Sequence, residues 1–187
     1  IDITILGDGI AFAETVSKEF DKPLSAIYKK FGTALLEIDE TKVEFASARK
    51  ESYSSNSRKP EIEFADLKED LSRRDFTVNA LAVSLNSDKN EIIDMFDGLG
   101  DLNERVLRTP LEPEKTFSDD PLRMMRACRF ASQLGFEIAG DTFHAIKQMR
   151  ERIRIVKGAE TVVSQERITD EFLKILTSKK PSIGLKL

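Results

Sequence analysis

SRRDFTVNA, residues Ser72 to Ala80, places two arginines and an aspartate directly in front of an apolar run. The run predicts a buried segment, so Arg73, Arg74 and Asp75 are expected to be held at its entrance. Paired guanidinium donors match two phosphate oxygens, and a neighbouring carboxylate can accept hydrogen bonds from ribose hydroxyls. The triplet is therefore consistent with a site for phosphates and a sugar, and also with a solvated cluster of surface charges.

The composition indicates a folded protein with neither membrane spans nor a disulfide framework. The chain has 187 residues, of which 40% are hydrophobic, enough for one domain of ordinary size and a smaller one. No apolar stretch reaches the roughly 18 to 20 residues that cross a bilayer, so no membrane partner is expected. Cys128 is the only cysteine and cannot form an internal disulfide, which fits a cytoplasmic location. His144 is the only histidine, which argues against a His-rich zinc site and a Ser-His-Asp triad.

The charge is unevenly distributed along the chain. The net charge is −4, but residues Lys147 to Leu187 hold 10 Lys or Arg and 5 Asp or Glu, a local charge of +5. Taking this +5 from −4 leaves −9 on the first 146 residues. An acidic front and a basic tail suggest metal or polar chemistry in one part and contact with a polyanion in the other. A basic, solvated helix explains the tail equally well.

Up to about Pro113 the sequence mixes strand and helix signals. The turn GDG, residues 7–9, separates a first strand from a helix that Asp8 can cap. The polar, Ser-rich stretch from Lys50 to Ser72 predicts a long loop, and DGLGDL, residues 97–102, predicts a turn. The segments with strand character are Ile3–Leu6, Thr33–Asp39, Lys42–Arg49 and, as a hairpin, Ala82–Phe96.

Beyond Pro113 the sequence predicts helices and no strands. SDDPLRMMRACRFASQLGF begins with acidic capping residues, has Pro121 in its first turn and ends at Gly135. DTFHAIKQMRERI (141–153) and QERITDEFLKILTS (165–178) have apolar residues at helical spacing. The predicted fold class is therefore α+β, with a mixed domain over residues 1–115 and an all-helical domain over residues 116–187.

The helix around Pro121 is predicted to carry acidic and basic side chains on one edge. At about 100° per residue, Asp119, Arg123 and Arg126 fall within roughly 60° of one another, and Asp120 flanks them. A carboxylate can accept from the exocyclic amine of cytosine or adenine, and a guanidinium can donate to ring nitrogens or carbonyls. An Asp and an Arg one turn apart could thus read the edge of a base. An ordinary ion pair between Asp119 and Arg123 is the alternative.

Two carboxylates near the start of the chain suggest a metal site. Asp2 stands at the head of one predicted strand, and Glu44 lies in another. Carboxylates on adjacent strands can share Mg²⁺ ions, which activate an attacking hydroxyl and neutralise a leaving pyrophosphate. Ordinary acidic residues at strand ends would give the same pattern.

Four motifs together resemble those of the tRNA nucleotidyltransferase / poly(A) polymerase family, and most closely the bacterial-type (class II) CCA-adding enzymes. They are RRDFTVNALA (Arg73 to Ala82), DMFDGLGDL (Asp94 to Leu102), DDPLRMMRACRFASQLGF (Asp119 to Phe136) and ERITDEFLKIL (Glu166 to Leu176). The resemblance runs over essentially the whole chain. It implies a DNA polymerase beta-type nucleotidyltransferase head, a small mixed sheet with helices, followed by an all-helical neck.

The resemblance implies a nucleotide site built from two of these motifs. Arg73, Arg74, Asp75 and Asn79 match the motif that contacts the sugar and phosphates of the incoming nucleotide. Asp120 and Arg123 match the residues that pair with the base of CTP or ATP. Arg126 follows them as a further nucleotide contact.

The resemblance also implies supporting roles for other residues. Coupling of head and neck movement is implied for Asp94, Gly98 and Asp101, and bracing of the base-reading helix for Glu166, Arg167 and Glu171. The stretch from about Lys50 to Ser72 corresponds to a flexible loop used in switching from C to A addition.

The catalytic carboxylates follow from the same resemblance. In this family an Asp-x-Asp strand holds two Mg²⁺ ions, and Asp2 resembles the second aspartate, which makes it the expected metal ligand. Glu44 falls where the superfamily places its third carboxylate. The first aspartate and the Gly-Gly turn before it would precede Ile1, so the chain is expected to be a fragment that begins within the metal site.

The implied activity is template-independent addition of CMP and AMP, from CTP and ATP, to the 3′ end of tRNA, with Mg²⁺ as cofactor. One alternative is a poly(A) polymerase of the same family, or a specialist that adds only CC or only A. Another, from a different class, is a non-catalytic RNA-binding fragment. The sequence does not indicate an oligomeric state.

Overall fold

The computed structural model describes residues 1–52, 61–86, 90–154, 156–157 and 160–187. The chain folds into two compact units, Ile1–Leu71 and Ser72–Leu187. The RRD motif thus begins the second unit, together with the helices that follow it. The boundary predicted between residues 115 and 116 lies inside this unit, and the division into head and neck stays a prediction. Within the described ranges, no helix combines the length and apolarity that a bilayer crossing needs.

The first unit is built on a four-stranded sheet with one helix packed against it. Its strands lie in the order β1, β4, β3, β2, with β1 parallel to β4 and the other pairs antiparallel. The elements are β1 (Asp2–Ile5), α1 (Gly9–Glu19), β2 (Leu24–Tyr28), β3 (Thr33–Ile38) and β4 (Thr41–Ser47). The three predicted strands in this region are confirmed. The edge strand β2 was not predicted, because its five residues show no clear alternation.

Alternation along the strands gives this sheet one covered and one polar face. Ala34, Leu36 and Phe45 point toward α1 and form a buried cluster with Ala13 of that helix. The residues between them point to the opposite face. The predicted cap of α1 is confirmed, because the Asp8 carboxylate accepts hydrogen bonds from the backbone N–H groups of Ile10 and Ala11, both at 3.0 Å.

The predicted loop from Lys50 to Ser72 is not irregular throughout. Strands β5 (Arg49–Ser52) and β6 (Glu61–Phe64) pair antiparallel, and α2 (Leu67–Ser72) follows them. The loop prediction was therefore wrong at both ends of the stretch, because segments of four and six residues are too short to show a clear period. Residues 53–60 lie outside the described residues.

The second unit consists mainly of helices, with short strand pairs between them. A 3₁₀ turn (Thr77–Asn79) is followed by the hairpin β7 (Leu81–Val83) and β8 (Ile92–Asp94), which confirms the predicted hairpin; part of its predicted turn, residues 87–89, lies outside the described residues. The remaining elements are α3 (Gly98–Glu104), β9 (Val106–Leu107), α4 (Pro113–Asp119), α5 (Leu122–Leu134), β10 (Glu137–Ile138), α6 (Gly140–Met149), β11 (Val156–Lys157), β12 (Glu160–Thr161), α7 (Gln165–Leu176) and α8 (Pro181–Lys186).

Three details of the second unit differ from the sequence predictions. DGLGDL forms α3 and not a turn, because backbone N–H groups at its start are bonded by the Asp94 carboxylate. The predicted helix that begins with Pro121 and ends at Gly135 is confirmed as α5, but Asp119 lies outside it, at the end of α4, since Asp120 has extended backbone angles (φ −143°, ψ 102°). Residues 116–187 are not all helical, because β10 pairs with β9 and β11 pairs with β12. Two-residue strands of this kind have no periodicity to detect.

The apolar part of the RRD motif is anchored in the core of the second unit, as predicted. Phe76 is fully buried in a cluster with Leu107, Phe117, Met124 and Ala127. The backbone N–H of the buried Thr77 donates to the carbonyl of Arg108 at 2.8 Å. The charged triplet is therefore fixed by the residues that follow it.

The close packing of α3 against the 3₁₀ turn leads to a prediction for Gly98. A methyl group at Gly98 would collide with the carbonyl oxygen of Thr77 and lie 3.0 Å from its carbonyl carbon. Because neither backbone segment can yield cheaply, we expect Gly98→Ala to lower the free energy of unfolding by about 2 kcal/mol. Urea denaturation followed by circular dichroism measures this change.

Gly140 provides the matched control, because it also begins a helix but has no atom within 4 Å of the position a Cβ would take. Gly140→Ala should leave stability unchanged or raise it by up to about 1 kcal/mol through helix propensity. Equal effects of the two substitutions would contradict the packing argument.

Candidate functional site

The buried carboxylate of Asp75 is the centre of the candidate site. Its Oδ1 accepts from the backbone N–H of Phe76 at 2.9 Å and from Nδ2 of Asn79 at 3.0 Å. Its Oδ2 accepts from Arg126, with Nε at 2.7 Å and Nη2 at 2.6 Å. The Asp75 side chain is 6% exposed, so this ion pair compensates a charge that is almost removed from water.

The two arginines before Asp75 are tied to the same turn. Arg74 donates from Nη1 to the carbonyl of Asn79 at 3.0 Å, which closes the turn behind Asp75. The carbonyl of Arg73 accepts from Nη2 of Arg123 at 2.6 Å. The structure therefore brings the RRD motif and α5 together, and their joint role in binding a nucleotide stays a prediction.

Asp120 and Arg123 lie at the start of α5, and Asp119 does not share their helix. Asp119 ends α4, so the prediction that Asp119, Arg123 and Arg126 lie on one helical edge was wrong in its first member. The extended backbone at Asp120 resets the helical phase between the two helices. Asp120 lies one turn before Arg123, as predicted, and its carbonyl accepts from the backbone N–H of Arg123 at 3.1 Å.

Both oxygens of Asp120 are oriented by different donors. Oδ1 accepts from the backbone N–H of Leu122 at 3.1 Å, and Oδ2 accepts from Nη2 of Arg167 at 2.7 Å. The carboxylate is 27% exposed, so it remains reachable from solvent. The two bonds hold the plane of the carboxylate in one orientation.

The guanidinium of Arg123 is held in place by two backbone carbonyls. Nη1 donates to the carbonyl of Thr116 at 3.2 Å, in addition to the bond from Nη2 to Arg73. A guanidinium has five N–H donors, so these two bonds leave three for a ligand. Its half-buried position and its two bonds fix where those donors point.

Helix α7 contacts α5 at a second point that the sequence did not reveal. Arg129 donates from Nε to Oε2 of Glu171 at 2.6 Å, and its guanidinium lies 4.0 Å from the centre of the Phe130 ring. Both side chains of the ion pair are nearly buried, at 12% and 5% exposure. The partners are 42 residues apart, so helical spacing could not have identified Arg129. Glu166, by contrast, is exposed in the first turn of α7.

Asp94, Gly98 and Asp101 link the hairpin, α3 and the 3₁₀ turn. Asp101 is buried; its Oδ2 accepts from the hydroxyl of Thr77 at 2.7 Å and its Oδ1 from Nε of Arg108 at 3.2 Å. Asp94 accepts backbone N–H groups from Gly98 at 2.8 Å and Leu99 at 2.9 Å. These three residues therefore fix the turn that carries Asn79.

The hydrogen bonds to Asp94 set its acidity. Burial acts to raise the pKa of its carboxyl, but backbone N–H groups of Leu99, Gly98, Phe96 and Asp97 outweigh burial, and the net pKa lies below the ordinary 3.8. The carboxylate therefore stays ionised at the start of α3, where a negative charge also favours the helix dipole.

Asp2 and Glu44 lie side by side in the first unit. They are direct partners in the parallel pairing of β1 and β4, so both side chains point to the face opposite α1, and both are exposed. Within the described residues, no group of three or more His, Cys, Asp or Glu is placed to hold a metal ion. Mg²⁺ is commonly held by one or two carboxylates together with water and substrate phosphates. The pair fits such an ion.

Two family profiles match the chain. The one described as "Poly A polymerase head domain" matches residues 1–108, and the one described as "Probable RNA and SrmB- binding site of polymerase A" matches residues 135–187. The first covers more than half of the chain.

Curated relatives and a solved structure are similar over nearly the same length. The CCA-adding enzyme of Ligilactobacillus salivarius is 40% identical over 98% of this chain and 45% of its own length. The A-adding tRNA nucleotidyltransferase of Aquifex aeolicus is 42% identical over 79% of this chain and 18% of its own length. A tRNA nucleotidyltransferase structure with a primer tRNA and an incoming ATP analogue has a TM-score of 0.80 and 33% identity, over 99% of this chain and 49% of that one. The chain thus spans half or less of the length of these proteins.

The lowered pKa of Asp94 leads to a prediction about stability and pH. Because the pKa of Asp94 is lower in the folded than in the unfolded state, its ionised carboxylate stabilises the fold at pH values above the unfolded pKa. This contribution is lost as the pH falls through the folded pKa. We expect Asp94→Asn to cost about 1 kcal/mol at pH 7 and progressively less between about pH 5 and pH 3. Urea denaturation at a series of pH values measures the difference.

Glu104→Gln is the control, because it removes an exposed carboxylate at the other end of α3. Its effect should be near zero across the same pH range. A constant cost of Asp94→Asn at every pH would contradict the role of the charge.

Proposed function

Because the chain belongs to the tRNA nucleotidyltransferase / poly(A) polymerase family, we propose that it supplies the nucleotide-adding site of a CCA-adding enzyme. In this proposal the 3′-hydroxyl of tRNA attacks the α-phosphate of CTP or ATP, and pyrophosphate leaves. No covalent enzyme intermediate is required, since positioning and electrostatic stabilisation are sufficient. A tRNA substrate also implies the cytoplasm as the place of action.

The fixed pair of Asp120 and Arg123 is the observation that supports this proposal best. Cytosine and adenine both present an exocyclic amine beside a ring nitrogen, a donor followed by an acceptor. Uracil and guanine present the reverse order, a carbonyl beside a ring N–H. A carboxylate and a guanidinium one helical turn apart, each oriented by its own bonds, match the first order and oppose the second.

The RRD turn is proposed to bind the sugar and phosphates of the nucleotide. Arg73 and Arg74 supply guanidinium groups for phosphate oxygens, and Asp75 and Asn79 supply polar groups for the ribose. Arg126 already bonds the buried Asp75, so its first effect is to hold that carboxylate in place. Direct contact of Arg126 with the nucleotide stays a prediction.

Asp2 and Glu44 are the residues proposed to hold Mg²⁺. When bound, the ion would lower the pKa of the RNA 3′-hydroxyl and balance charge on the departing pyrophosphate. The chain's own contribution is a pair of carboxylates on neighbouring strands, exposed to a substrate that brings further oxygen ligands.

The remaining motif residues are proposed to keep the site rigid. Asp94, Gly98 and Asp101 support the chain before and after Asn79. In this proposal, the same residues couple head and neck movement. Arg167 joins α7 to Asp120 at the start of the base-reading segment, and Glu171 joins α7 to Arg129 further along α5. Glu166 belongs to the same motif, and its bracing role stays a prediction.

A second candidate function is addition of A alone. The Aquifex aeolicus relative named an A-adding tRNA nucleotidyltransferase is 42% identical to this chain, so the pair that fits cytosine and adenine does not by itself separate the two activities. A poly(A) polymerase would likewise add only A, in runs.

The products formed on tRNA separate these candidates. A tRNA that lacks its terminal CCA is incubated with the full-length protein, CTP, ATP and Mg²⁺, and the 3′ ends are sequenced. We expect CCA, with little use of GTP or UTP because their edges oppose the Asp120–Arg123 pair. Runs of A would establish the poly(A) activity, A added only to ends already carrying CC would establish the A-adding one, and equal use of all four nucleotides would contradict base reading.

Substitution of Arg167 tests whether a fixed carboxylate governs base choice. Arg167→Met removes the hydrogen bond to Oδ2 of Asp120. The Asp120 carboxylate can then rotate, which weakens its discrimination against uracil. We expect the ratio of UMP to CMP incorporation to rise about tenfold, roughly the discrimination carried by one hydrogen-bonded contact. Single-turnover rates with each nucleotide measure the ratio.

Two comparison variants make the result specific to that bond. Arg123→Ala should lower incorporation of both CTP and ATP, since it removes the donor itself. Lys179→Met removes an exposed positive charge beyond α7 and should change neither rate nor ratio. If Arg167→Met lowers the rate but leaves the ratio of UMP to CMP incorporation unchanged, Arg167 stabilises the helix and does not govern base choice.

A further inference from the structure

We propose that Tyr28 forms a stacking site for the 3′-terminal bases of the RNA substrate, on the sheet face that carries Asp2 and Glu44. This inference rests on the proposed function, because it names the part of the first unit that receives the RNA end. It concerns only residues of the first unit, and the supporting observations are strand register, exposure and charge.

Strand register places Tyr28 on the same face as the two carboxylates. Asp2 pairs with Glu44, and Glu44 pairs with Leu35, which pairs with Ala26. The neighbouring row on that face consists of Thr4, Ala46, Thr33 and Tyr28. Paired residues point to the same side of a sheet, and residues two apart along a strand do as well. Since Phe45 and Ile3 belong to the cluster on the α1 side, both rows point to the opposite side.

The separation of Tyr28 from the carboxylates suits a nucleotide. Tyr28 lies two strands away from Glu44 and one row along, which corresponds to about 12 Å between Cα atoms for strands about 4.8 Å apart with a rise of about 3.3 Å per residue. One or two nucleotides of a single strand span this distance. An RNA end with its 3′-hydroxyl at Asp2 and Glu44 would therefore bring a terminal base over Tyr28.

The rows between these points carry no other aromatic and no long charged side chain. Ala26 and Ala46 project only methyl groups, and Leu35 and Thr33 of the central strand β3 lie between them. Tyr28 itself is 48% exposed although it is a large aromatic residue. Exposed aromatic rings beside small residues are the platforms on which single-stranded nucleic acids stack their bases.

Basic residues beside Tyr28 favour the binding of a polyanion such as RNA. Lys29 and Lys30 follow it directly in the chain and are exposed. Lys30 and the guanidinium of Arg49 also lie 5.4 and 5.5 Å from the ring of Phe31, a second exposed aromatic. An aromatic ring flanked by positive charges favours RNA over an apolar protein segment, because the phosphates then meet lysine ammonium groups.

A tryptophan at position 28 reports base stacking directly. The 187-residue chain contains no tryptophan, so Tyr28→Trp introduces a single emitter. The probe is an oligoribonucleotide with the acceptor-strand sequence of tRNA up to the position before CCA, added without nucleotide. We expect its bases to quench the emission by at least about half at saturation, with less quenching as the salt concentration rises.

Phe20→Trp is the matched control, because Phe20 is also exposed, at 53%, but lies at the C-terminal end of α1, the helix packed against the other face of the sheet. The oligonucleotide should leave its emission unchanged. Absence of quenching at position 28, or equal quenching at both positions, would overturn the proposal. Quenching by CTP alone and not by RNA would also overturn it, since the platform would then serve the incoming nucleotide.

Kinetics of variants without tryptophan provide a second, independent readout. Tyr28→Ala removes the ring and should raise the KM for tRNA about tenfold while the KM for CTP stays unchanged. Tyr28→Phe keeps the ring and should restore the KM for tRNA. An unchanged KM for tRNA in Tyr28→Ala would contradict the proposal.

The two readouts separate this inference from the proposed function. Quenching of the Tyr28→Trp variant by RNA, in a protein that adds no nucleotide, would uphold the binding site and refute the activity. A protein that adds nucleotides normally but shows neither quenching nor a change in KM would uphold the activity and refute the stacking site.

Discussion

The ion pair between Asp75 and Arg126 is the interaction on which the candidate site depends. A carboxylate that is 6% exposed must be compensated, and Arg126 does so together with Asn79 and a backbone N–H. Because Arg126 is on α5, this compensation fixes the distance between the RRD turn and the helix that begins with Asp120 and Arg123. The proposed phosphate-binding and base-reading residues are thereby held together within the second unit by this ion pair and by the bond from Arg123 to the carbonyl of Arg73.

Local signals in the sequence predicted many of the helices and strands correctly, because caps and periodicity act over only a few residues. Asp8 begins a helix and Gly135 ends one where their chemistry requires, with Gly135 in the left-handed region at φ 71°. Elements without such signals were missed. The strand β2 is an edge strand of five residues, and α3 contains two glycines but is capped by Asp94 from outside the helix.

Residue spacing could not predict which residues of the candidate site bond to one another, although most of the residues themselves were identified. Arg167 reaches Asp120 across 47 residues and Arg123 reaches Arg73 across 50, so each bond depends on how helices pack in three dimensions. Arg129 was not identified at all, because its partner Glu171 lies on another helix. The one-residue break at Asp120 was not predicted either, and it removes Asp119 from the helix that carries Arg123.

The parallel pairing of β1 with β4 has a consequence for how the carboxylate pair is assembled. Strands β2, β3 and β4 are joined by short connections and can form a meander by themselves, whereas Asp2 meets Glu44 only when the chain closes a loop of about 40 residues. Long-range contacts of this kind form after local ones in most small domains. We therefore expect the pairing of Asp2 with Glu44, and with it the proposed metal site, to form after the meander during refolding.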